Sequence, residues 1–124
     1  MNIPYSCSGI LIKEPVLKYT DNGKAVCNMV IKVTEKTVQG TLFPLTVWEG
    51  LAENCTESLS KGDKIIVIGL IKSNVWEDKH GQKRETKYIQ AFTVGIDLKD
   101  TKVQIIGKIK SEEEIEENNM GRNK

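Results

Sequence analysis

Over residues 5–94 apolar and polar positions alternate with a period of two for most of the way, the mark of strands that bury one face. Residues 5–13 (YSCSGILIK) read as a first strand, interrupted by Glu14-Pro15. Residues 24–34 alternate most cleanly: Ala25, Cys27, Met29, Ile31 and Val33 share one face, with Asn28 and Lys32 on the other. Asp21-Asn22-Gly23 just ahead is a turn signal, because Asn and Gly tolerate positive φ. Residues 42–48 (LFPLTVW) form the next strand. Pro44 has no N–H to give to a ladder, so this stretch is expected at an edge or a bulge.

The period changes at residues 49–60 (EGLAENCTESLS). Leu51, Ala52, Cys55 and Leu59 recur at helical spacing, which predicts an amphipathic helix of about three turns. Lys61-Gly62-Asp63 is expected to close it, with the glycine as C-cap. Residues 64–72 (KIIVIGLIK) are apolar at both parities, as in a strand buried on both faces, and Gly69 predicts a bend or bulge within it. Residues 73–85 read as a polar loop or hairpin arm around Gly81, and residues 86–94 (TKYIQAFTV) as a fifth strand. Residues 102–107 (KVQIIG) are a shorter β candidate. Three strands, a helix and two more strands is the order of an all-β, five-stranded OB-fold barrel with one helix between strands 3 and 4. A small, unrelated α+β sheet would give the same order.

Charge and composition narrow the picture. The 124 residues suit one domain. No apolar run reaches the roughly 18 residues of a membrane helix, and Met1 to Tyr5 carries no secretory pattern, so a cytoplasmic protein without membrane attachment is expected. The net charge is +1, but residues 111–124 hold five glutamates against two basic residues, net −3, which leaves +4 on the rest. The expected organisation is a barrel over 1–110 and a disordered acidic tail over 111–124, too poor in apolar residues to offset its ordering entropy. A basic body suits contact with phosphate. Cys7, Cys27 and Cys55 are odd in number and far apart, so they read as small core residues in a reducing compartment. With His80 they show none of the usual zinc spacings, and neither a metal nor a cofactor is expected. No Ser/His/Asp, Cys/His or paired-carboxylate arrangement is suggested, so the reading assigns no catalytic residue and no enzymatic reaction.

The chemistry lies in the two tryptophans. In residues 42–48, Phe43, Leu45 and Val47 form the apolar face, which places Trp48 outward beside Thr46. Further on, Lys72, Asn74 and Trp76 share a face, again an aromatic among polar neighbours. An outward indole can cap a barrel or fill a subunit interface. It can also stack a nucleobase, worth about 1–3 kcal/mol regardless of sequence. Lys72, Lys79, Lys83, Arg84 and Lys87 around Trp76 favour the second use, since they would neutralise phosphates.

Four ordered stretches carry a family resemblance: Glu14-Pro15-Val16-Leu17-Lys18-Tyr19 with Asn22-Gly23 and Ala25-Val26; Val47-Trp48 leading into Leu51-Ala52-Glu53-Asn54; Leu59-Ser60-Lys61-Gly62; and Trp76 through Arg84, WEDKHGQKR. Together they resemble the bacterial and phage single-stranded-DNA-binding protein family, across residues 9 to 98. The resemblance implies sequence-independent binding and protection of single-stranded DNA in replication, recombination and repair, in the cytoplasm of a bacterium or of a phage's host. It places Trp48 and Trp76 at base-stacking positions, and Tyr19, Lys18, Lys61 and Lys72 near the DNA path. It also implies a homo-oligomer, a tetramer foremost; a barrel with Pro44 in an edge strand could pair through its N-terminal strand instead, as a dimer.

Departures from the family pattern modify these expectations. Leu42 stands where many members have a tryptophan, Glu35–Gly40 lacks the aromatic often found there, Glu49-Gly50 replaces Gly-Lys, and Asn74-Val75 replaces basic residues. Weaker, more salt-sensitive binding is expected. The tail ends Asn119 to Lys124 without the Pro-Phe tip with which family tails dock partners, so tail-mediated recruitment is not expected. The second reading is an OB-fold replication-restart adaptor acting through protein partners. Such an adaptor has no need of two exposed indoles.

Overall fold

The computed structural model describes residues 3–34 and 40–108; the expected acidic tail lies outside them. The elements are β1 (Tyr5–Leu11), β2 (Val16–Tyr19), β3 (Ala25–Val33), β4 (Leu42–Trp48), α1 (Glu49–Ser58), β5 (Lys64–Glu77) and β6 (Lys83–Ile96). The strands run in the order β1-β5-β6-β4-β3-β2, and a further β1–β3 pairing closes five of them into a ring. With β2 outside the ring, α1 falls between the third and fourth barrel strands, as the hydrophobic pattern predicts.

Alternation explains most of this. Every second residue of β3 is buried, from Ala25 to Val33, as are Leu45 and Val47 of β4 and Ile65 and Val67 of β5. Each large aliphatic chain sealed there contributes about 1.5–3 kcal/mol. From α1 and its C-cap, Ala52, Cys55 and Leu59 close one end of the core, with Leu51 packed beside them. All three cysteines are buried within this cluster. Burial and the neighbouring Cys27 raise the Cys55 thiol from 9.0 to about 11. The Asn22-Gly23 turn forms as read: Gly23 adopts φ 81, and Thr20 and Lys24 are joined by a backbone hydrogen bond of 2.9 Å.

Pro44 occupies a one-sided stretch. It pairs in register with Val30 of β3, while the parallel pairing of β4 with β6 begins only at Leu45. That parallel contact, Leu45↔Ile89 and Thr46↔Gln90, closes the ring. Gly69 marks a bulge, since Ile68 pairs with Thr93 but Gly69 with Ala91, skipping Phe92. A Cβ at Gly69 would collide with the Gln90 carbonyl oxygen and lie 2.7 Å from Ala91 Cα.

Five expectations are corrected. A sixth strand, β2, follows Glu14-Pro15 and continues along the edge of β3 that β1 uses further on; its four residues are too few and too exposed to show a pattern. Residues 64–72 are not buried on both faces: Ile66 and Ile71 are exposed. The 73–85 arm is largely strand, because β5 and β6 pair without interruption out to Glu77↔Lys83 around a 78–82 turn. Cross-strand pairing sustains these polar residues in β structure where no core-facing alternation announces it. The helix ends at Ser58 with Leu59 as C-cap, and Gly62 serves the following turn at φ 95, its N–H bonded to the Leu11 carbonyl. Residues 102–107 form no strand and are exposed, their apolar side chains finding no partner strand among the described residues.

Candidate nucleic-acid interface

Register assigns the outer face of the barrel. Across β3 and β4, Val26 faces Trp48, Asn28 faces Thr46 and Val30 faces Pro44. Thr46 lies opposite Gln90 of β6, and from there Lys72↔Tyr88, Asn74↔Thr86 and Trp76↔Arg84 extend the same face along the β5–β6 ribbon. Side chains two apart on a strand share a face, so these pairs make one continuous polar and aromatic surface.

Two adjoining hollows open on that surface. One, about 430 Å³, is lined by Val26, Asn28, Pro44, Thr46, Trp48, Asn74, Thr86, Tyr88 and Gln90. The other, about 520 Å³, is lined by Thr20, Asn22, Lys24, Trp48, Glu49 and Gln90. Trp48 and Gln90 belong to both. The Trp48 indole is 38% exposed and that of Trp76 47%, so neither is sealed in the core. Trp76 donates its Nε1–H to Thr86 Oγ1 at 3.2 Å, which fixes the ring beside the first hollow and leaves its faces to other contacts.

The cations divide. Lys72 shares the groove face with Trp76, and Arg84 is Trp76's cross-strand partner. Lys18 of β2 pairs with Val26, a groove residue, and so reaches the same face. Tyr19 is exposed but takes the alternate register position, opposite buried Ala25. Lys83 and Lys87 alternate with Arg84 and Thr86, so they point from the other side of the ribbon, opposite Glu77 and Ser73. Lys79 lies in the 78–82 turn. Lys61 sits in the turn after α1, its N–H bonded to Glu14 Oε1 at 3.1 Å, and lines neither hollow.

Sequence reasoning did not select Lys24, Asn28, Thr46, Thr86, Tyr88 or Gln90. The spacing of Thr86, Tyr88 and Gln90, three polar residues at alternate positions, was the available signal for β6. Nothing local pointed to Lys24, which reaches Trp48 only because β3 and β4 pair. Glu49, beside Trp48, brings a carboxylate to the groove and holds φ 58, a left-handed conformation normally left to glycine. At the ribbon tip, Asp78 Oδ1 accepts the N–H groups of His80 and Gln82, and Oδ2 accepts Arg84 Nε at 2.9 Å. The Gln82 N–H foremost, then Arg84 and the His80 N–H, holds this carboxyl below its usual 3.8, against an opposing effect of desolvation.

A closed five-stranded ring with a helix after its third strand, and an open groove lined by the Trp48 indole with Trp76 further along the same face, defines an OB-fold binding barrel. Residues 5–97 match the single-strand binding protein family, and the chain belongs to it. Among its relatives is a single-stranded DNA-binding protein of Paenarthrobacter aurescens, 37% identical over 101 residues, which is 73% of this chain and 59% of that one. A protein of the same description from Corynebacterium glutamicum is 32% identical over 107 residues, covering 78% of this chain and 48% of the relative. Single-stranded DNA-binding protein 2 of Streptomyces coelicolor is 29% identical over 107 residues, covering 78% and 54%. The chain therefore spans about half the length of these relatives.

Proposed function

We propose that this barrel binds single-stranded DNA without regard to sequence and shields it during replication, recombination and repair, with no covalent step. The observation that carries the reading is that Trp48 and Trp76 are both half-exposed on one continuous face, with Lys18, Lys24, Lys72 and Arg84 around it. Unpaired bases stack on the indoles, and the cations meet the phosphates between them. Asn28, Thr46, Thr86 and Gln90 offer hydrogen bonds to whatever base edge arrives, which suits tolerance of sequence. An adaptor acting through protein partners leaves this groove without a purpose.

Binding is weaker and more salt-sensitive than two further aromatic platforms would make it. Leu42, 56% exposed on the Trp48 face, offers no ring, and Glu49 opposes phosphate. The DNA-bound form is a homo-oligomer, a tetramer foremost. Support comes from Ile10 of β1 and Ile66 of β5, apolar side chains exposed on the outer face where these two strands pair.

Titration with oligo-dT at low and moderate salt, followed by tryptophan emission, tests the reading. Emission should be quenched, and Trp48→Ala and Trp76→Ala should each weaken binding by about 1–3 kcal/mol. Unchanged emission on adding oligo-dT, or full affinity in both variants, would rule it out.

A further inference from the structure

Beyond the stacking rings, the ribbon tip contains a device that neither tryptophan explains. Asp78 uses both carboxylate oxygens: Oδ1 closes the turn through His80 and Gln82, and Oδ2 crosses to Arg84 Nε on the opposite strand. The turn is closed independently by two backbone bonds, Asp78 N–H to the Gln82 carbonyl at 2.9 Å and Gly81 N–H to the Asp78 carbonyl at 3.0 Å. The contact with Arg84 is thus not required to hold the tip shut. It is also the only hydrogen bond of the Arg84 guanidinium among the described residues. Arg84 lies directly across from Trp76, whose ring is itself tied to Thr86 one position further along that face.

We propose that Asp78 is a positioning residue for DNA: its grip on Nε sets the Arg84 guanidinium beside the Trp76 ring with both Nη groups free for the phosphate next to the stacked base. The inference rests on the single-stranded DNA reading above. Guanidinium geometry is the reason an arginine is needed here. Its planar fork lets one edge bind a carboxylate while the others remain available, whereas a lysine ammonium is a single point charge that cannot do both in fixed orientation. The proposal runs against simple electrostatics. Removing an anion near a polyanion ligand should tighten binding; removing this one should loosen it, because a wandering arginine must be ordered again on binding.

The test is oligo-dT titration of Asp78→Asn, Arg84→Ala, Arg84→Lys and the Asp78→Asn/Arg84→Ala double variant, with thermal melts as a folding control. Asn keeps an oxygen for the His80 and Gln82 N–H groups, so the turn survives while the charge-assisted grip is lost. Asp78→Asn should weaken binding about three- to tenfold. It should cost nothing further once Arg84 is alanine, and Arg84→Lys should lose as much as Asp78→Asn. Affinity of Asp78→Asn equal to or tighter than wild type, additive losses in the double variant, or full affinity in Arg84→Lys would each overturn the positioning role. If the wild-type chain itself fails to bind oligo-dT, the binding reading falls and this one with it; wild-type binding with an indifferent Asp78→Asn removes the positioning role alone.

Discussion

Gly69→Ala is the most exacting test of how this barrel holds its groove together. The added Cβ would meet backbone on every near side: the Gln90 carbonyl oxygen, Ala91 Cα at 2.7 Å and the Gln90 carbonyl carbon at 2.8 Å. No flexible side chain can turn away, so the bulge must open. Gln90 cannot move freely either, because Thr46↔Gln90 is one of the two pairs that close the ring, and its side chain lines both hollows. Overpacking of this kind costs about 1–3 kcal/mol. At about 4–8 °C per kcal/mol for a domain of this size, the melting temperature should fall by roughly 5–20 °C. Gly95→Ala, on the neighbouring strand β6, is the control, since a Cβ there meets nothing within 4 Å and no left-handed φ is involved. It should be neutral or stabilising by about 0.4–1 kcal/mol through the unfolded state. Thermal melts by circular dichroism decide the matter. A Gly69→Ala variant melting within about 2 °C of wild type would show that the bulge yields without cost, and the account of ring closure would be wrong.

Three further outcomes are expected. Glu49 sits at φ 58, so Glu49→Gly should be more stable than Glu49→Ala by about 1–2 kcal/mol in urea denaturation, both having lost the same carboxylate. Equal midpoints would refute the strain. Because the Cys55 thiol is raised to about 11, iodoacetamide at pH 8.5 should modify it far more slowly in the folded protein than in urea; its contribution to stability is present below 9.0 and lost as pH climbs through the folded value. The Asp78 carboxyl titrates below 3.8 when folded, so what it adds to the turn is present above that value and lost as pH falls below it. Melts of wild type and Asp78→Asn should therefore converge towards pH 2.5.

How much of this was legible beforehand follows from the range of each interaction. Period-two burial is a local property, and it announced β3, β4 and the outward direction of Trp48, while the glycine itself marked the bulge at Gly69 in a run apolar at both parities, whose outward face was not announced. Helical spacing announced α1, because Ala52, Cys55 and Leu59 must all meet the same core. The outer halves of β5 and β6 bury little, so their strand structure depends on pairing with each other, which no single stretch records. The same holds for β2, which exists because β3 offers it an edge. Charge near Trp76 was visible, but which cation faces the groove was not. Lys83 and Arg84 are neighbours in sequence and lie on opposite sides of the ribbon.

The amino-acid order alone determined which residues could be buried and which aromatic rings could not, because burial periodicity is written into neighbours two or four apart. Register between strands decided the rest: that Lys24 comes to Trp48, that Arg84 comes to Trp76 and Asp78, and that Lys83 and Lys87 turn away. A one-residue slip would reverse each of those assignments, and only contacts between distant segments fix the register against it.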